Sequence, residues 1–208
     1  MPDKETMIET IVNIEWSMFS TVNNVGGKAS CQRRPDTFHI MRASQFEAWT
    51  PQILESYYND VLAAQENKRN ICTDKYGYMM EFTVPDEYEQ IKYALPVVSD
   101  KVLALIREIV DINLDWEEAA DEKYPNMRGK GRPLRKEQDS VQFVSVETYL
   151  YCELKTYSEN TIKLLHEYTL DCKEKGISLA EVILENTAKH YGYASLQQAE
   201  DTLAAKQA

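Results

Sequence analysis

Apolar positions recur every three to four residues along almost the whole chain, a period that predicts helices nearly throughout. The first predicted helix covers about 5–24, with Ile8, Ile11, Val12, Phe19 and Val22 as its stripe, and Gly26 and Gly27 end it. Asp36 or Thr37 caps a second helix that reaches Trp49. Thr50 followed by Pro51 reads as an N-cap and a first-turn proline, opening a third helix to about Glu66. Thr73 caps a fourth, carrying Tyr76, Met79 and Met80, and a short helix lies between Pro85 and Pro96. Ser99 caps a long helix, roughly 100–123, with Val102, Leu105, Ile106, Ile109, Ile112 and Trp116 on its inner face. After a loop at about 124–140 come helices at 146–157 and 159–175, with Ser158 as hinge cap and Gly176 as terminator. Ser178 and Glu181 have the spacing of a capping box for the next helix, and Ser195 caps the last. The segment 141–146 is the only alternating, strand-like run. The pattern therefore predicts an all-α, single-domain bundle of about eight to ten helices over residues 1–208.

Composition narrows the function. A net charge of −11 and a sequence pI of about 4.8 argue against non-specific binding to nucleic acid or an anionic membrane. The one dense basic patch is the long loop, with Arg128, Lys130, Arg132, Arg135 and Lys136. It is either a solvated loop or a clamp for a phosphate or an acidic partner. Thirteen tyrosines against five phenylalanines suggest half-polar core edges or a cleft lined with hydroxyls. Cys31, Cys72, Cys152 and Cys172 form no C-x-x-C pair and match no zinc spacing. There is no signal-peptide pattern and no apolar run near the roughly 20 residues of a membrane helix, so a cytoplasmic protein with reduced thiols is expected. Paired E-x-x-H motifs and G-x-G-x-x-G or P-loop patterns do not occur, and no metal or cofactor is expected.

Candidate chemistry lies where polar residues interrupt apolar faces. Glu15 sits four residues from both Ile11 and Phe19, on the stripe of the first helix. A carboxylate there is an acid/base group or half of a structural ion pair. Phe38, Met41, Gln45 and Trp49 mark one face of the second helix, and Arg42 sits at its edge; the arginine fork suits a ligand anion or Glu15 itself. Cys31 precedes Arg33 and Arg34, which favour a thiolate, with His39 as a conceivable base; a packing cysteine is the plainer alternative. Tyr149, Glu153, Thr156 and Tyr157 share a helical edge and form a second polar wall, or a hydrogen-bonded core network; Tyr76 and Glu81 are weaker candidates of the same kind.

The stretch from Glu15 to Trp49 resembles the signature of an uncharacterised bacterial family of about 200 residues, a domain of unknown function. The pattern is E-W-x-M-F, then N-x-G-G-[RK]-A-x-C-Q, then T-F-x-I-M-R-x-S-Q and W. Here it falls on Glu15, Trp16, Met18, Phe19, Asn24, Gly26, Gly27, Lys28, Ala29, Cys31, Gln32, Thr37, Phe38, Ile40, Met41, Arg42, Ser44, Gln45 and Trp49. His39 occupies a variable position. The resemblance brings no activity, but its motif residues are more polar than packing requires. The expectation is a cofactor-free lyase or hydrolase acting on a polar anionic, amino-acid-like metabolite. Glu15, Cys31 and Glu153 would be catalytic, and Asn24, Arg42, Gln45, Tyr149 and Tyr157 would bind the substrate. The alternatives are a non-catalytic small-molecule-binding or regulatory module, and an interaction domain that uses the basic loop.

Overall fold

The computed structural model describes residues 2–23, 27–129 and 131–206. Among them are eleven α-helices and no strand: α1 (Lys4–Ser20), α2 (Pro35–Glu47), α3 (Pro51–Glu66), α4 (Ile71–Thr83), α5 (Pro85–Ile91), α6 (Asp100–Lys123), α7 (Pro125–Arg128), α8 (Val146–Leu154), α9 (Glu159–Glu174), α10 (Leu179–His190) and α11 (Leu196–Ala205). The eleventh, beyond the eight to ten expected, is α7, a single turn inside the long loop. Side-chain caps set most of the starts: Asp3, Thr50, Asn70, Ser99, Ser145, Ser158, Ser178 and Ser195 each accept a backbone N–H three residues on.

Several boundaries differ from the sequence expectation, each for a local reason. Helix α1 stops at Ser20, well before Gly27, because side chains from elsewhere bind its last carbonyls. Gln32 Nε2 donates to the carbonyls of Phe19 and Val22 at 2.8 and 2.9 Å, and Asn70 Nδ2 to that of Met18 at 2.9 Å. Gly27 has φ +93°, a turn conformation beyond the helix rather than its cap. Helix α2 begins at Pro35 after Arg34, not after Asp36 or Thr37. Asn70, not Thr73, caps α4, with Thr73 supplying the N–H. Helix α8 ends at Leu154 rather than at Tyr157. The capping box at α10 is half made: Ser178 accepts from the Glu181 N–H, but the Glu181 carboxylate turns to Lys123 at 2.7 Å. The segment 141–146 is not a strand; Val141 and Phe143 are exposed, and Ser145 caps α8.

Helix α1 packs against α2, α3 and α4, and α6 against α8, α9 and α10. These two groups meet where α2 lies on α10, α3 on α9 and α4 on α8. The main core runs across the seam, from Ile11, Val12 and Phe46 through Tyr57 to Ile106, Leu154 and Ile162. Burial of these side chains, each worth about 1.5–3 kcal/mol, holds the bundle together. No helix among the described residues is long and apolar enough to cross a membrane.

Candidate functional site

Charged side chains gather at the seam. Glu15 of α1 and Glu153 of α8 are 3% and 4% exposed. Between them lies Arg42 of α2. Its Nε and Nη2 grip the two Glu15 oxygens at 2.6 and 2.7 Å, and its Nη1 donates to Glu153 Oε1 at 2.7 Å and Gln45 Oε1 at 2.8 Å. Lys75 of α4 reaches the other oxygen of Glu153 at 3.1 Å and donates to the Tyr149 hydroxyl at 2.6 Å. The Tyr57 hydroxyl donates to Glu15 at 2.5 Å and that of Tyr157 to Glu153 at 2.9 Å. Two carboxylates and two cations balance, and five helices contribute. Glu15 and Arg42 thus form the bidentate ion pair that was the structural alternative for both.

The balance sets the protonation states. Burial alone would raise the Glu153 pKa, but Arg42 and Lys75 hold it well below the usual carboxylate range. Burial alone would lower those of Arg42 and Lys75. The Glu15 and Glu153 carboxylates reverse this for Arg42, and Tyr149 and Glu153 do so for Lys75. Burial, and then the nearby carboxylates, push the Tyr57 and Tyr157 phenols up and keep them hydrogen-bond donors. A second, water-sized cavity of about 20 Å³ touches Glu15, Arg42, Tyr57, Lys75 and Glu153.

Next to this network a cavity of about 480 Å³ opens between the two helix groups, a size that suits a small organic ligand. Helix α2 forms one wall along its whole length, through Thr37, Phe38, Met41, Arg42, Gln45 and Ala48, and continues to Trp49. Helices α6, α8, α9 and α10 supply Ile109, Asn113 and Glu117; Val146, Tyr149, Leu150, Glu153 and Leu154; Leu165 and Thr169; and Leu179 and Ile183. Phe19, Ser30, Cys31, Arg34, Tyr76 and Arg132 complete it. The walls are mostly apolar.

Of the residues singled out from sequence, Cys31, Arg42, Gln45, Tyr149 and Glu153 line this cavity together. Glu15 touches only the small cavity, and Tyr157 touches neither. Asn24 lies outside the described residues. His39 is exposed and off the cavity wall. Thr156 donates to the Glu153 carbonyl at 2.7 Å, and Glu81 pairs with Lys155 at 3.6 Å. The basic loop is largely spoken for: Arg128 pairs with Glu117, Arg135 with Glu118 and Lys136 with Glu147. Lys130 lies outside the described residues.

Four residues escaped the sequence reading although a signal existed. Lys75 interrupts the buried row Ile71, Cys72, Met79 as Glu15 interrupts its own, and Tyr57 sits in the row Ile53, Leu54, Val61. On α6, Ile109 is followed at four-residue steps by Asn113 and Glu117, so the apolar face turns polar where it meets the cavity. Glu117 forms an ion pair with Arg128, its Oε2 lying 3.1 Å from Nη2. Burial raises its pKa, with Arg128 opposing and Asp121 adding to the rise. Two further side chains on the wall, Arg34 and Arg132, have no carboxylate within ion-pair distance among the described residues. Arg132 lies over the Tyr149 ring at 4.7 Å and donates to the Val144 carbonyl.

Comparison with known proteins places the chain. The model of a family described as protein of unknown function, DUF4125, matches residues 5–201. The chain belongs to the DUF4125 family. That agrees with the uncharacterised family of about 200 residues expected from sequence. No curated protein and no solved structure matches this DUF4125 chain. Among its described residues no group of three or more His, Cys, Asp or Glu side chains is arranged to hold a metal ion.

Proposed function

We propose that the protein binds a small anionic molecule in the cavity beside α2. The observation that carries this reading is the pair Arg34 and Arg132: cations on a mostly apolar wall with no carboxylate among the described residues within ion-pair distance of them. Arg42 was the sequence-based choice for the anion, but its fork is taken by Glu15, Glu153 and Gln45. In this reading the buried network is the rigid floor of the cavity, and Tyr149 and Gln45 present polar edges to the ligand. The test is a melting-temperature screen against small carboxylates and phosphates. A ligand at 100 times its Kd adds about 2.7 kcal/mol, which is about 5–10 °C for a domain of this size. The shift should vanish in Met41→Trp, which fills the rim at a residue already 49% exposed. A screen without hits would remove the reading.

A second reading, acid/base catalysis as a cofactor-free lyase or hydrolase, draws support from Glu117. One of its oxygens is held by Arg128, the group lines the cavity, and burial lifts its pKa towards the range where proton transfer is efficient. Glu153, held ionised, suits an electrostatic role instead, and Cys31 is a wall thiol within reach of a bound ligand. With any ligand that is turned over, Glu117→Gln should lower kcat by about 100-fold or more and leave KM nearly unchanged. A raised KM with kcat unchanged would assign Glu117 to binding alone.

A further inference from the structure

The cavity is unequally equipped along its length, and this bears on what kind of anion it takes. At the end where α2 begins, Arg34 shares a tight turn with Cys31, its N–H bonding the Cys31 carbonyl. Arg132 lies over Tyr149 there, and the Tyr76 phenol feels both Arg132 and Cys31. At the other end, where α2 gives way to Ala48 and Trp49, Tyr168 of α9 bonds the Ala48 carbonyl, and Trp49, Leu165 and Thr169 line the cavity, the Thr169 hydroxyl being spent on the Leu165 carbonyl. From Arg34 to Ala48 the backbone advances about 21 Å at 1.5 Å per residue. Among the described residues no uncommitted cation lines the far end: Arg42 and Lys75 are held by the two buried glutamates, Arg128 by Glu117, and Lys4, which bonds the Glu47 and Trp49 carbonyls, is not on the cavity wall. A ligand with a second charged end would bury it against apolar side chains, at a cost of several kcal/mol. A short, wholly polar anion would leave most of the 480 Å³ unfilled.

Resting on the anion-binding reading above, we infer that the ligand is a monoanionic amphiphile. Its carboxylate lies between Arg34 and Arg132, and an unbranched or slender apolar body runs along α2 towards Trp49. This departs from the amino-acid-like metabolite expected from sequence.

The test is calorimetric titration of the whole chain with hexanoate, octanoate and decanoate below their micelle concentrations. Each added methylene buried in the cavity should tighten binding about fourfold, hence about 16-fold between neighbours in the series. The double variant Arg34→Gln/Arg132→Gln should bind decanoate about tenfold or more weakly and decanol, the uncharged counterpart, as the unaltered protein does. Both arginines are exposed and have no ion pair among the described residues, so the variant should keep its melting temperature. Affinity that does not rise with chain length overturns the inference, as does an affinity for decanoate that the double variant leaves unchanged. If succinate or inorganic phosphate binds through the same arginines while decanoate does not, the anion site stands and the amphiphile falls. If neither class binds, both fall.

Discussion

Glu153 shows how much can rest on one side chain. Among the described residues it is the only acceptor shared by Arg42 and Lys75, and Tyr157 bonds it as well. Removing one partner from a buried ionic cluster strands the other, so Glu153→Gln should cost about 3–5 kcal/mol in a urea titration at pH 7. The pH dependence has a definite sign. The folded-state pKa of Glu153 is depressed, so its contribution is complete above the unfolded carboxyl pKa of about 4.3 and is lost as pH falls towards the folded value. The gap between the two proteins should therefore shrink below about pH 4.3, by about 1.4 kcal/mol for each unit. A gap of constant size down to pH 3 would show that the carboxylate is not held ionised by its neighbours. The buried thiols stand in contrast: burial pushes Cys72 and Cys152 up to about 12, which leaves them inert at neutral pH.

At the level of elements, the turn Ser30–Arg33 matters more than its length suggests. Gln32 ties it to the end of α1 and closes it on itself, its Oε1 accepting from the Ala29 N–H at 2.9 Å. Gln32→Ala should loosen this turn, with faster amide exchange at residues 27–34 and faster alkylation of Cys31, while exchange in α6 stays slow. Uniformly faster exchange would mean that the turn is part of the global core. The elements themselves were mostly legible in the sequence, because a Ser, Thr, Asp, Asn or Pro at each start and a helical stripe behind it act locally. Helix α6, capped by Ser99, and α3, opened by Thr50 and Pro51, have the expected bounds. The end of α1 was not legible, since Gln32 and Asn70 reach it from other elements. The site was legible in part by the same logic. Glu15 and Arg42 stand out as charges on apolar faces, but nothing local says that they consume each other. Arg34 and Arg132 look like ordinary surface charges until the fold sets them on one wall.

For the whole molecule, the decisive feature is where the charge-balanced network lies: Glu15, Arg42 and Lys75 come from the first four helices, and Glu153 comes from α8. A fragment ending after α6 holds two of the cations and one of the carboxylates, and it lacks the α8, α9 and α10 walls of the cavity. Such a fragment, residues 1–123, should show little protection of α1 and α2 amides, and addition of the remainder, 124–208, should restore it. A fragment that protects these helices by itself would show that the excess charge is tolerated. The same feature has a consequence for synthesis. As the chain leaves the ribosome, Arg42 and Lys75 have only Glu15 of the network to match them until residue 153 emerges. Completion of the core would thereby fall towards the end of translation, with a truncated product exposed to proteases instead of persisting as a half-built bundle.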